Sequence, residues 1–189
     1  MQVLEKNRGE IEAKASRMSD FLKMEYLEEV SKKFSDVEIL RYCYSELSKL
    51  YEKNIMYPES IKYIEKFQEV CISQREKMQA YTREIELLIK GGYYDRVNFA
   101  YNKILEVATP KEIYEIENKI ILMYKSEGEK FEKTNKNALA LKVYERLAKA
   151  PAVKDPEKQE IKKKLLVLYK KLGKVRESLE LERELGRSR

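Results

Sequence analysis

Residues 91–104 read GGYYDRVNFAYNKI, and this stretch decides how the chain is expected to fold. Its two glycines accept the left-handed backbone conformation that ends a helix. After them Tyr94, Val97, Tyr101 and Ile104 return every three or four residues, which places their side chains on one face of a helix. The stretch therefore predicts the end of one helix, a tight turn, and a second helix.

The intervals within this stretch recur further along the chain. The full set, from the turn glycine to the last apolar residue, is kept by Gly173, Val175, Ser178, Glu182 and Leu185. The last three members are kept by Ala140, Tyr144 and Leu147. A spacing that returns in this way indicates a repeated helical hairpin, because one hairpin alone cannot bury both of its apolar faces.

This pattern resembles the tetratricopeptide repeat, a helical hairpin with a glycine at its turn and small and aromatic residues on its second helix. Tyr169 before Gly173 also suits the first helix of that family. The sequence departs from the family at Glu84, Lys162 and Glu182, where large or aromatic residues are usual. The resemblance covers about residues 58–186, and it implies an all-α solenoid that binds other proteins.

The repeats are longer than the family's usual period of about 34 residues. Val97, Ala140 and Ser178 lie 43 and 38 residues apart, with the excess between Tyr124 and Ala140. About seven extra residues add two turns and return a helix to nearly the same face. We therefore expect the helix at 110–133 to be extended by about two turns.

Helix starts and stops are marked along the chain. Ser35, Ser73 and Thr109 are each followed three residues later by Glu, the capping-box pattern, and Asp155-Pro156 indicates a further start. Stops are expected at the glycine pair 91–92, at Gly173 and at Gly186. The predicted helices span residues 2–17, 20–33, 36–53, 58–72, 74–90, 93–107, 110–133, 137–149, 156–172 and 174–186, with the first two either separate or continuous.

These elements predict an all-α fold of about 8–10 helices arranged as antiparallel hairpins, and the resemblance implies that the hairpins stack as a short right-handed solenoid. The short connections require each helix to return beside the one before it. Residues 58–189 form the repeat region of this prediction. Residues 1–57 are helical but match no repeat, so they are expected to cap the array or to mediate dimerisation within one continuous domain.

The composition excludes several kinds of chemistry. The 189 residues include no His, which removes the commonest general base and the commonest neutral metal ligand. The glycine pair 91–92 follows a helix and lacks the lysine of a phosphate-binding loop. Cys43 and Cys71 are isolated and are expected to be small packing residues. We expect no catalytic site, no metal and no cofactor.

Positive charge is concentrated at the C-terminal end. Residues 154–189 contain 12 basic and 7 acidic residues, which gives +5 of the chain's net +6. The candidate partner-binding residues in this segment are Lys163, Lys164, Lys170, Lys171, Lys174, Arg187 and Arg189. The resemblance implies that Asn118, Lys163, Lys170 and Lys171 lie on first-helix positions that face the family's groove. Lys125 is a further candidate. Such a surface would attract an acidic peptide or a phosphate backbone.

The sequence thus predicts a non-enzymatic interaction module that holds another protein through a helical groove or its basic C-terminal hairpin. Nucleic-acid binding through the basic face is the alternative, and self-association through residues 1–57 is a third interpretation. No stretch approaches the roughly 18 apolar residues of a membrane span. We therefore expect a cytoplasmic protein that does not bind membranes.

Overall fold

The structure, a computed structural model, describes residues 3–150 and 153–187, the last of these by its backbone alone. Within those ranges it contains ten α-helices and no strand, so the all-α prediction is confirmed. The helices are α1 (Arg8–Ala15), α2 (Asp20–Lys33), α3 (Val37–Lys53), α4 (Tyr57–Glu69), α5 (Gln74–Gly91), α6 (Tyr94–Leu105), α7 (Pro110–Lys133), α8 (Asn137–Ala148), α9 (Asp155–Lys171) and α10 (Val175–Arg187).

Helix α1 is the one helix whose position differs clearly from its prediction. It begins at Arg8 instead of residue 2, because the Asn7 side chain accepts a hydrogen bond from the Glu10 amide and caps the helix there. Residues 16–19 separate α1 from α2, so the two helices are not continuous. The other nine helices begin and end within three residues of their predicted positions.

The cap predictions are partly confirmed. Thr109 forms the full reciprocal capping box with Glu112, and Ser73 caps α5. The prediction for Ser35 is wrong, because Asp36 is the residue whose side chain caps α3. The expected stop at Gly186 is also wrong, since α10 continues to Arg187. A Cβ at Gly186 would meet no other atom within 4 Å, so the chain has no steric need for glycine there.

The chain divides into two compact units, Met1–Ala108 and Thr109–Arg189, which we call unit 1 and unit 2. In unit 1, helices α2 to α5 each pack against the next helix along the chain, and α1 packs on α2 and α3. Its apolar side chains include Tyr26, Leu27, Leu47, Ile85 and Leu88, all fully buried. The predicted hairpin packing is therefore present throughout this unit.

Unit 2 repeats the arrangement with α7 to α10. Helix α8 packs against both α7 and α9, and α10 packs on α9. Helix α7 is 24 residues long, against 18 for α5 and 17 for α9, so the predicted extension of this helix is confirmed. The additional turns account for the longer interval between the second and third repeats.

The boundary expected between residues 57 and 58 lies within a packed hairpin. Helices α3 and α4 stand on either side of it and pack on each other more extensively than any other pair of helices. Ser60 on α4 donates its hydroxyl proton to the Ser48 carbonyl at 2.7 Å where these helices meet. The division between the two units falls instead between Ala108 and Thr109. A capping or dimerising role for residues 1–57 stays a prediction.

Four residues of the described backbone have positive φ, and each lies in the turn of a hairpin. Ile55, Gly92, Asn135 and Gly173 have φ of 61°, 78°, 56° and 68°. Each stands five residues before the small residue that begins the buried face of the second helix. The hairpins α3–α4, α5–α6, α7–α8 and α9–α10 are thus built to one register.

The hairpin α7–α8 crosses at a glycine. A Cβ added to Gly128 would lie 2.7 Å from the Tyr144 ring, so only glycine allows the buried ring to occupy this place. In the hairpin α3–α4, the two helices meet at Ser48 and Ser60 instead. Small residues at the crossing therefore set how closely the two helices of these hairpins approach.

Candidate partner-binding surface

The predicted site residues lie mostly on two helices of unit 2. Lys163, Lys164, Lys170 and Lys171 belong to α9, and Lys174 follows it in the turn before α10. Asn118 and Lys125 belong to α7. The side chain of Arg187 and the whole of Arg189 lie outside the described part of the chain.

Lys164 joins α9 to the hairpin before it. Its ammonium nitrogen lies 3.5 Å from a Glu129 carboxylate oxygen and 4.0 Å from one of Glu132. It also donates a hydrogen bond of 3.1 Å to the Tyr144 hydroxyl and lies 5.0 Å from the centre of that ring. These partners hold Lys164 between helices, so its charge is largely compensated within unit 2.

Three further candidate lysines are also paired with carboxylates. The Lys170 ammonium lies 2.5 Å from Glu182 on α10, and that of Lys125 lies 2.5 Å from Glu157 on α9. Lys174 lies 3.8 Å from Glu177 in a looser contact. The stripe of positive charge predicted along the last hairpin is therefore interrupted by its own glutamates.

Lys163 and Lys171 differ from these residues. Both are exposed, and neither forms an ion pair or a hydrogen bond with any residue that the structure describes. Between them on α9 lies Val167, 51% of which is exposed to solvent. Residues 163, 167 and 171 follow one another at intervals of four, so they share one side of the helix. We call these three residues the open face of α9.

Helix α7 offers two exposed residues in the same unit. Asn118 is exposed, and Leu122, four residues later, is 63% exposed. The ion pairs of Lys125 with Glu157 and of Glu129 with Lys164 join α7 to α9 further along α7. Unit 2 therefore combines uncompensated cations, an amide and exposed aliphatic side chains on adjacent helices.

Sequence reasoning missed the two apolar members of this surface. Val167 lies in the run Leu165-Leu166-Val167-Leu168, in which Leu165 and Leu168 are buried and Leu166 is half-buried. Leu122 likewise adjoins the buried Ile120 and Ile121. A continuous apolar run hides which side chain faces solvent, because every residue in it suits a core.

Two neighbouring helices of unit 1 present a surface of a different kind. Glu52 on α3 accepts hydrogen bonds from Arg83 and Lys90 on α5, and both of these cations also donate to Glu86. Burial alone would raise the pKa of the Glu86 carboxyl. The hydrogen bonds from Lys90 and Arg83 outweigh burial, and the pKa of Glu86 is lowered. Each charge in this network is matched by one of opposite sign.

Two tyrosines of unit 1 act in packing. The rings of Tyr51 and Tyr63 stack with centroids 5.5 Å apart, and both hydroxyls donate hydrogen bonds of 2.7 Å to Glu28. Burial, together with this carboxylate, raises the pKa of both phenols. These tyrosines therefore stabilise the contact among α2, α3 and α4 and are not available as anchors for a ligand.

Burial disfavours the thiolate form of both cysteines. Burial raises the pKa of the Cys43 thiol to about 12 and that of the Cys71 thiol to about 11. A protonated thiol is a poor nucleophile and a poor metal ligand. In the described residues no group of three or more His, Cys, Asp or Glu side chains is arranged to hold a metal ion. The described helices also include none that is long and apolar enough to cross a membrane.

The hairpins, their left-handed turn residues and the small residues at their crossings define a protein built from tetratricopeptide-like helical hairpins. The predicted resemblance is thus confirmed at the level of the fold. No protein-family model and no curated protein matches this sequence.

Among solved structures, the chain is similar to TPR-like repeats described as those of a kinesin light chain from Podospora anserina. The two sequences are 12% identical, and the TM-score is 0.42. The match covers 94% of this chain and 90% of the other. At this identity the likeness concerns the helical fold alone.

Proposed function

We propose that this chain is a non-enzymatic interaction module that holds an acidic segment of another protein, in the cytoplasm, against the open face of α9 and the adjacent part of α7. The observation that carries the proposal is the contrast among the lysines of α9. Lys164 and Lys170 have carboxylate partners, whereas Lys163 and Lys171 are exposed without one in the described part of the chain.

The spacing of the open face suggests the form of the ligand. Lys163 and Lys171 lie eight residues apart, about 12 Å along the helix axis. An extended segment with acidic side chains four residues apart, or a helix with acids eight residues apart, would span this distance. Val167 between them would receive an aliphatic side chain. The ligand class is therefore an acidic segment with an apolar residue at its centre.

Nucleic-acid binding is the less favoured alternative. A duplex is held by many cations that each neutralise a phosphate, so binding weakens steeply as salt is raised. Here Lys125, Lys164, Lys170 and Lys174 are already compensated by glutamates. Those glutamates would also repel a phosphate backbone, whereas a short acidic segment needs only the two open lysines.

A binding titration tests the proposal. The probes are a fluorescent synthetic peptide with glutamates at four-residue intervals around a central leucine, the same peptide with glutamine in place of glutamate, and a fluorescent DNA duplex. We expect the glutamate peptide to bind best. Combining Lys163→Glu with Lys171→Glu should weaken its binding by about tenfold or more.

The matched control combines Lys142→Glu with Lys149→Glu, which makes the same change in net charge at exposed lysines elsewhere in unit 2. Equal losses in the two double variants would mean that net charge alone attracts the peptide, and the proposed surface would be wrong. Tighter binding of the duplex, abolished by Lys163→Glu and Lys171→Glu, would overturn the proposal in favour of nucleic acid.

A further inference from the structure

Among the four left-handed turn residues of the hairpins, Ile55 is the one whose side chain disfavours this backbone conformation. The equivalent residues of the other three hairpins are Gly92, Asn135 and Gly173, which tolerate positive φ. A β-branched residue at φ 61° is a genuine outlier, because its side chain crowds the following carbonyl. The turn itself does not require isoleucine, since the same turn is made three more times without it.

Packing within the chain does not explain Ile55 either. Its side chain is 73% exposed, so it contributes little to the core of unit 1. A residue that is both strained and exposed is retained most simply when its side chain is used by something outside the monomer. Strain and exposure are separate observations, and here they coincide at one residue.

Other exposed apolar side chains lie at the same end of unit 1. The Asp20 carboxylate lies 2.5 Å from the Lys53 ammonium, which brings the start of α2 beside the end of α3. Phe21 and Leu22 follow Asp20 directly, and they are 69% and 48% exposed. Ile55 and the exposed Met56 follow Lys53 by two and three residues. We call Phe21, Leu22, Ile55 and Met56 the turn patch.

We propose that the turn patch is a homodimer interface, with a second copy of this chain as its partner. The charges beside the patch make it self-complementary, because the Asp20 carboxylate and the Lys53 ammonium lie next to each other there. A two-fold axis through the patch would bring Asp20 of one copy toward the partner's Lys53, and would bury apolar side chains against apolar side chains. This interface lies in unit 1 and is independent of the proposed ligand surface in unit 2.

An unlike partner is less well supported than a second copy. The open face of α9 carries uncompensated cations that select a ligand of opposite charge, whereas the Asp20 and Lys53 charges beside the turn patch are paired with each other and sum to zero. A surface without net charge gives no such selection, and it meets its own copy without repulsion. In a symmetric dimer each chain contributes one Asp20 and one Lys53, so two such ion pairs would form between the chains.

The test compares two isoleucines with the same exposure. Ile55→Asn places at this turn the residue that Asn135 already provides in another hairpin, so the variant is expected to fold. Ile72→Asn is the control, because Ile72 is also 73% exposed but lies in the loop between α4 and α5. Sedimentation velocity should show a concentration-dependent dimer for the wild type and for Ile72→Asn, and a monomer for Ile55→Asn.

Reversing the charge of Asp20 or Lys53 tests whether the partner is a second copy of this chain. Asp20→Lys alone and Lys53→Asp alone should each be monomeric, because two-fold pairing would then oppose like charges. An equimolar mixture of these two variants should form a heterodimer. A wild-type chain that stays monomeric at every soluble concentration would overturn the proposal and leave the patch to an unlike partner. An equal weakening of the dimer by Ile55→Asn and by Ile72→Asn would also overturn it.

Discussion

The charged side chains on the first helices of the hairpins are paired differently in the two units. In unit 1, Glu52, Arg83, Glu86 and Lys90 form a closed network between α3 and α5, in which every cation has two carboxylate partners. In unit 2, Lys164 also has two carboxylate neighbours on α7, at 3.5 and 4.0 Å, but the open face of α9 keeps two cations exposed. A closed network stabilises the unit that contains it. An open charge is available to a ligand, so the difference separates a structural surface from a candidate binding surface.

The interiors of the two units also differ at equivalent positions. Gly128 in unit 2 corresponds to Ile85 in unit 1, which lies 43 residues earlier and is fully buried. Likewise Glu127 corresponds to Glu84, which is 1% exposed. The same backbone register therefore holds a glycine in unit 2 where unit 1 has an isoleucine, whereas the buried glutamate is the same in both units.

The largest expected effect is that of Gly128→Ala. Its Cβ would lie 2.7 Å from the buried Tyr144 ring, so α7 and α8 must move apart or the ring must leave its rotamer. We expect the free energy of unfolding to fall by about 2–3 kcal/mol, as for other overpacked cores. Chemical denaturation followed by circular dichroism measures the change.

The matched control is Gly186→Ala, where an added Cβ meets nothing within 4 Å. Replacing this helical glycine should raise the free energy of unfolding by at most about 1 kcal/mol. If both substitutions change the free energy of unfolding alike, the close crossing at Gly128 is not what holds α7 against α8.

A buried hydrogen bond in unit 1 gives the next largest expected effect. The Gln68 side chain donates to Glu84 at 2.7 Å, and Lys103 is the other partner of this carboxylate, at 3.3 Å. Gln68→Leu would leave a buried charge with one long contact. We expect a loss of about 2 kcal/mol in the free energy of unfolding.

The comparison in unit 2 is Lys130→Met. Lys130 lies 3.1 Å from Glu127, but its own side chain is 60% exposed, so water can replace its ammonium. We expect a loss of about 0.5 kcal/mol for this contact. A cost as large as that of Gln68→Leu would show that the two buried glutamates depend equally on their partners, contrary to the contrast drawn between the units.

The closed network of unit 1 should give a pH-dependent contribution to stability. The pKa of Glu86 is lowered in the folded chain, so its contribution is fully present above its unfolded pKa of about 4.3 and is lost as the pH falls through the lower folded value. We expect Glu86→Gln to cost about 1 kcal/mol at neutral pH. The difference from wild type should vanish in acid.

The control is Glu129→Gln in unit 2. This carboxylate is half-exposed and lies 3.5 Å from Lys164, so its loss should be small at any pH. Urea titrations of the wild type and both variants between neutral and acidic pH would measure the two dependences. Parallel curves for the wild type and Glu86→Gln would contradict the stabilising role of the network.

The sequence predicted the helices well because their signals are local. Thr109 and Glu112 form their capping box within one turn, and Gly92 and Gly173 each supply the left-handed turn they indicate. The hairpin α3–α4 was not recognised as a repeat, although its register is the same. Its turn residue is Ile55, and isoleucine does not indicate a left-handed backbone.

The candidate site was predicted only in part, because pairing depends on tertiary contacts. Lys164 meets Glu129 from 35 residues away, and Lys170 meets Glu182 across a turn. Net charge along the sequence counts all of these lysines alike. It therefore indicates α9 as a whole, but it does not distinguish the paired lysines from Lys163 and Lys171.

The smallest expected effect is a gain in stability from Ile55→Gly. The left-handed conformation costs a residue with a side chain about 1–2 kcal/mol, and glycine removes this cost. Glycine also has more conformational freedom in the unfolded chain, which takes back about 0.5–1 kcal/mol. The free energy of unfolding should therefore rise by roughly 0.5 kcal/mol in dilute solution, where the chain is monomeric.

Gly92→Ala makes the reverse change at the equivalent turn and should lower the free energy of unfolding by about 1 kcal/mol. Both values come from denaturant titrations at low protein concentration. Together the two measurements distinguish the backbone strain at Ile55 from the role of its side chain in the proposed dimer. If Ile55→Gly stabilises the monomer and also abolishes dimerisation, the chain retains a strained residue for the contact that it makes with a second copy. If it destabilises the monomer, Ile55 is held by packing within unit 1, and its conformation gives no reason to assign it to an interface.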